Sequence, residues 1–166
     1  MSKGKGVSIF AGLITLVGTF ALAWTSDGGT PPNTLSGLSV VNLQDMLNYT
    51  ELLGDQMWMG YATMGLFLLT LLSGFMILLG GQVRFFSVLF GLIALGQGLI
   101  ILLSVAISNP IISDLVTIEE IMMGPQLIDG SIPYIYEIST NVTLGQIVLI
   151  TGGFFGIIGG LMSRDY

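Results

Sequence analysis

The sequence predicts an all-α integral membrane protein, a four-helix bundle with both termini on the cytoplasmic side and short amphipathic helices in two outer segments. Three observations predict it. Hydrophobic residues make up 52% of the 166 and charged residues only 8%, against roughly a quarter charged in soluble domains. Four runs, about 6–24, 57–81, 85–108 and 144–162, contain no Asp, Glu, Lys or Arg, and each is close to the ~20 residues that cross about 30 Å of hydrocarbon. All four cations, Lys3, Lys5, Arg84 and Arg164, fall at one set of ends of these runs, and nine of the ten acids fall between the other ends. Residues 1–166 therefore read as one tetraspan domain.

The first run follows MSKGKG and closes on FALAW, with the A-x-A form of a signal cleavage site from Ala21 to Ala23; it is read as an uncleaved first span. The positive-inside rule puts the cations in the cytoplasm, so spans two and three meet in a tight inner turn from Gln82 to Arg84. Trp24, Trp58 and Tyr61 then lie at the level of the outer headgroups, and Phe85 and Phe86 at the inner ones.

Outer segment 25–56 opens with loop material, SDGGTPPNTLSG, and continues SVVNLQDMLNYTELLG. There Val40, Leu43 and Leu47, with Met46, recur at helical spacing. Ser39 is the expected N-cap and Gly54 the stop. In segment 109–143 the stretch SDLVTIEEIMMGP reads as a second helix, capped by Ser113 or by Thr117 in a capping box with Glu120, and ended by Gly124 and Pro125. Isolated helices this short are marginal in water, so their apolar faces should lie over the outer mouth of the bundle or on another subunit. GSIPYIYEIST alternates Ile132, Tyr134, Tyr136 and Ile138 with period two and reads as an extended contact strip.

Glycine is abundant inside the spans, where each one costs helix propensity in water. In lipid, the hydrophobic effect does not drive helices together and close backbone contact becomes important, which small residues permit. Gly145, Gly152, Gly156 and Gly160 form a stripe on span four, Ser8, Gly12, Thr15 and Thr19 one on span one, and Ser87, Gly91, Ala94 and Gly98 one on span three. Span two is looser, with Gly60, Thr63, Thr70 and Gly74. These faces are expected to pack the chain's own bundle, with the span-four stripe a candidate for a neighbouring chain. Gln97 and Gln146 are expected to make interhelical hydrogen bonds.

Chemistry is nearly absent. The chain has no cysteine and no histidine, which excludes disulfides, thiolate metal sites and histidine-ligated haem or zinc. No Walker loop, nucleophile elbow, HExxH or EF-hand pattern occurs, and charge-free spans argue against an ion pump or proton relay. Met57, Met59 and Met64, with Met122 and Met123, are candidate Cu(I) thioether ligands or simple gap-fillers. Nine outer acids stand without a base: Asp27, Asp45, Glu51, Asp55, Asp114, Glu119, Glu120, Asp129 and Glu137. They should make a negative face that attracts cations or a basic partner. If Asp27, Asp45, Glu51, Asp55 and Asp129 converge, they are calcium candidates. Glu119 and Glu120, adjacent on a helix, point about 100° apart and do not form a catalytic dyad. NYT at Asn48 and NVT at Asn141 match the glycosylation sequon.

With no reactive constellation, the expected role is a non-catalytic structural or accessory subunit of a larger membrane complex, with no cofactor. Its partners would be the lipid bilayer and other membrane subunits or copies of itself, and not nucleic acid. The alternative is a homo-oligomer forming a cation-attracting pore or cell-surface lattice. The layout of four spans, two structured outer segments and a short inner turn resembles that of claudin-type tetraspans; Trp24 is followed here by TSDGG, and the cysteine pair of that family's first outer segment is missing. The composition suits an archaeal or bacterial cell membrane.

Overall fold

The structure, a computed structural model, describes residues 2–107, 109–139 and 142–162. It is mostly helical. Helix α1 is Lys3–Leu16, prolonged by a wider π-type turn at Val17–Ala21; α2 is Leu43–Leu52, α3 Met57–Leu79, α4 Arg84–Ala106, α5 Pro110–Met122 and α6 Leu144–Leu161. Five short strands join them: β1 Thr25–Ser26, β2 Asn33–Leu35, β3 Gly124–Pro125, β4 Glu137–Ser139 and β5 Val142–Thr143. Four helical stretches are long and apolar enough to cross a membrane: Lys3–Ala21, Gly54–Leu79, Arg84–Leu103 and Leu144–Leu161.

These four close into a ring in which α1 and α4 each lie between α3 and α6. Neighbours run antiparallel: Gly12 meets Leu78 while Gly74 meets Leu16, and Gly152 meets Thr15 while Gly4 meets Gly159. A Cβ on Gly152 would overlap Thr15 Oγ1, and one on Gly153 would lie 2.5 Å from the Gly91 carbonyl oxygen. Such separations leave room for hydrogen only. Ser87, buried on α4, donates to the Gly156 carbonyl at 2.7 Å and stands 3.0 Å from Ser8 Oγ.

The span-four glycines expected as one stripe serve two neighbours. Gly145, Gly152 and Gly159, at seven-residue steps, face α1 and the chain just beyond it, whereas Gly153, Gly156 and Gly160 face α4. Residues at three- and four-residue steps cover a face wide enough to meet two helices. Gly12, Gly91 and Gly98 are likewise taken up inside the chain, by Leu78, by Gly153 with Ile157, and by Ile150 with Gln146.

Helices α3 and α4 outrun their partners. Gly98 rests on Gln146 in the first turn of α6, so α4 continues about 12 Å beyond it to Ala106. Phe67 packs at a tilt against Trp24 just past the end of the first helix, with ring centroids 5.6 Å apart, and α3 extends from there to Met57. A cap of α2, α5 and an antiparallel sheet wraps these projecting ends. The sheet is β1-β2-β3, with Thr25 opposite Leu35 and Thr34 opposite Gly124, so it draws strands from both outer segments. The β4-β5 pair leads into α6, whose start is closed by a capping box between Thr143 and Gln146.

The cap has its own core: Trp24, Leu35, Met46, Met59, Phe67, Ile118, Met122 and Leu149. Trp24 is fully buried and donates its indole N–H to the Gly18 carbonyl at 2.9 Å. That carbonyl belongs to the last turn of the first helix, where no further N–H continues the ladder.

Several expectations change. The first span ends at Ala21, not Trp24, because Leu22 turns extended, and Trp24 is a core residue rather than an interfacial anchor. The sheet makes the all-α reading incomplete; strands of two or three residues carry no period, and their pairing partner is distant in sequence. Helix α2 is capped by Asn42, not Ser39, and α5 by Asn109, whose Oδ1 accepts from the Ile111 amide at 3.0 Å. Thr117 donates instead to the Ser113 carbonyl. Gly124 and Pro125 do follow the helix end, and they pair as β3.

Candidate functional site

The cap brings two kinds of feature together: a buried polar pair and an exposed apolar strip. Helix α5 starts four residues after α4 ends and folds back along it, which sets Glu119 beside Gln97. The Gln97 Nε2 donates to Glu119 Oε1 at 2.8 Å, and both residues are 2% exposed. Two atoms of the pair, Gln97 Oε1 and Glu119 Oε2, have no hydrogen-bond partner. Burial pushes the Glu119 carboxyl up to about 7, against a smaller downward pull from the Gln97 bond.

Charge along the chain places Glu119 among the solvated acids; in the structure it is buried. The sequence carries a signal for this: Leu115, Ile118 and Met122 pack on the cap core, and Glu119 occupies the i+4 position of that same face. Its neighbour Glu120 is exposed.

Asp27, Asp45, Glu51, Asp55 and Asp129 are all exposed, and among the described residues no three His, Cys, Asp or Glu side chains gather to hold a metal ion. Asp27 instead closes its own loop. Its Oδ1 accepts from the Gly29 and Asn33 amides at 2.9 and 2.8 Å, and its Oδ2 from Asn33 Nδ2 at 2.8 Å. The Gly29 amide leads in holding its carboxyl below the usual range.

Four of the five methionine candidates belong to the cap core or pack on it, Met122 and Met123 among them. Met59 is buried within it, Met64 packs against it and Met57 is half-buried at the start of α3. Gln146 is buried, with its Oε1 accepting from the Thr143 amide at 3.2 Å. Asn48 is exposed on α2, while Thr50 of the same sequon is buried and donates to the Met46 carbonyl at 2.8 Å; Asn141 lies outside the described residues.

The apolar strip comes from α2 and the chain just before it: Leu43 and Leu47 lie on the helix, while Val40, expected on the same helical face, precedes the Asn42 cap and bonds the Pro125 carbonyl through its amide. The buried face of α2 is Met46 and Thr50; of the apolar positions that periodicity selects on the helix, Met46 turns inward and Leu43 and Leu47 do not. Val40, Leu43 and Leu47 are 52%, 44% and 39% exposed. Thr50 fits on the buried face because Gly60 of α3 offers a notch: a Cβ at Gly60 would overlap Thr50 Oγ1. Below the strip, Tyr134 and Tyr136 are exposed where the first helix ends, with the Tyr134 amide donating to the Ala21 carbonyl at 2.8 Å and its carbonyl accepting from Ala23. No protein family, curated protein or solved structure matches this chain.

Proposed function

We propose that the protein is a non-catalytic accessory subunit of a membrane complex, with the cap outside the cell, both termini in the cytoplasm, and α2 as the docking face for another subunit. The observation that carries this reading is the strip of Val40, Leu43 and Leu47. It sits on the projecting part of α3, well past the ends of α1 and α6, where water rather than lipid would bathe it. Three aliphatic side chains left about half exposed forgo roughly 0.6–1.6 kcal/mol each relative to full burial, and a partner surface recovers that. The glycine faces lend support in another way. They are consumed within the ring, so association falls to the cap and to the lipid-facing flanks.

The test is native mass spectrometry of the protein extracted from its own membranes in a mild detergent, in wild type and in the double variant Leu43→Asn, Leu47→Asn. Under this reading, wild type carries other polypeptides at fixed stoichiometry and the double variant runs alone. Multiples of the 17.6 kDa chain would instead select a lattice or pore built from copies, and a wild type that runs as a monomer would overturn both.

A further inference from the structure

The buried pair between α4 and α5 is short of one hydrogen. An ionised carboxylate and an amide oxygen are acceptors only, so Glu119 Oε2 and Gln97 Oε1 have nothing to offer each other if Glu119 is charged. With one proton added at Glu119 Oε2, that hydroxyl donates to Gln97 Oε1, while Gln97 Nε2 keeps donating to Glu119 Oε1. Acid and amide would then close a two-bond ring around the bond already present, and both oxygens now without a partner would be satisfied. We propose that Glu119 is a proton-binding site, and that the bound proton latches α5, and the half of the cap that follows it, onto α4.

The surroundings favour the neutral acid. Helix α5 packs against α2, α3, α4 and β2. The titratable groups on these elements are Asp45, Tyr49 and Glu51 on α2, Tyr61 on α3 and Arg84 on α4, with Asp114 and Glu120 on α5 itself and Asp27 next to β2. The one cation among them, Arg84, stands thirteen residues along α4 from Gln97, about 20 Å away, and Lys3 and Lys5 lie at that same far end of the bundle. Every other ionisable neighbour is an acid or a phenol, so no group compensates a charge on Glu119, and a buried bare carboxylate is costly.

Release of the proton to water therefore strands a charge beside Ile118 and Met122, and α5 lets go of α4. The segment that moves with it includes β3, which begins two residues after the helix ends. The glycine-packed ring enters the latch through Gln97 of α4. An acid whose proton is held more firmly in the docked state than in the open one is docked most firmly at low pH, and docking weakens as pH rises from about 4.5 to about 7.

The experiment uses full-length protein in detergent, labelled with carboxyl-13C glutamate and followed by infrared spectroscopy. Of the four glutamates, Glu51, Glu120 and Glu137 are exposed. The expected result is a single isotope-shifted band of a protonated, hydrogen-bonded carboxyl at pH 6, titrating away with a midpoint near 7 and absent in Glu119→Gln. Hydrogen exchange of the 110–122 peptide, corrected for intrinsic rates, should rise on the order of fifty-fold from pH 5 to pH 8 in wild type and stay level in Glu119→Gln. No protonated glutamate band at pH 6, or the same exchange profile in both proteins, overturns the latch. The wild-type band decides the protonation even if the variant fails to fold.

Discussion

One indole fixes the place where the first helix gives way to the cap. Trp24 fills the cap core against Phe67 and saturates the Gly18 carbonyl, so Trp24→Phe should keep most of the packing and orphan a buried acceptor. The expected loss is about 1–3 kcal/mol, read as a lower unfolding midpoint in detergent at unchanged helix content. Glu119 gives the residue scale a pH signature. Its folded pKa lies above its unfolded value, the reverse of a salt-bridged acid, so the native state binds more protons between about 4.5 and about 7. Stability should then fall across that window by up to about 1.4 kcal/mol per pH unit and level off above it. Unfolding titrations of wild type and Glu119→Gln check this, since the variant should lose the slope. Gln97 was legible in sequence as a buried amide. Glu119 was not, because counting charge along a chain says nothing of which face carries it; its i+4 spacing from Leu115 was the clue.

At the scale of elements, the contact between α4 and α6 can be tested one glycine at a time. Gly153→Ala would drive a methyl into the Gly91 carbonyl and the Leu95 amide, each 2.5 Å away, and backbone does not yield as a side chain does. The helices must part, at a cost of about 1–3 kcal/mol or more. Gly65 and Gly96 have nothing within 4 Å of the same methyl, so alanine there should be neutral or should stabilise by up to about 1 kcal/mol. Thermal unfolding of the three variants in one detergent separates the two kinds of site. Spacing alone found the small-residue faces, and it missed Gly153 and Gly159 because it followed a single row of four-residue steps. On α2 it selected Leu43 and Leu47 with Met46, and of these Met46 is buried, beside a threonine that it passed over. Leucine outranks threonine on any hydropathy scale, whereas burial there was decided by a notch at Gly60, a property of another element.

For the whole molecule, the four long apolar helices lie within a few residues of where charge-free runs put them, apart from the early end of the first. Long apolar runs are read from composition alone. The cap is a different problem, because its sheet joins β1 and β2 to a strand from the far side of two long helices, and no local pattern announces such a pairing. The exposed strip on α2 belongs to this scale too. Leu43→Asn with Leu47→Asn should leave the circular dichroism and the unfolding midpoint within about 0.5 kcal/mol of wild type, as surface substitutions do, while abolishing co-purification of partner chains. Unchanged co-purification would place the contact elsewhere.

The central strand of that sheet also sets a timetable. About ninety residues separate Leu35 from its partner strand at Gly124, and at ~5–20 residues per second a ribosome needs roughly 4–18 s to make them. For that interval β2 has β1 on one side and an open edge on the other, the kind of edge that pairs with whatever strand comes near. Two of the long helices must be synthesised before the edge can be covered. The cap is thus finished by the last third of the chain, and a nascent protein halted before Gly124 would display the same unpaired edge that the complete one has hidden.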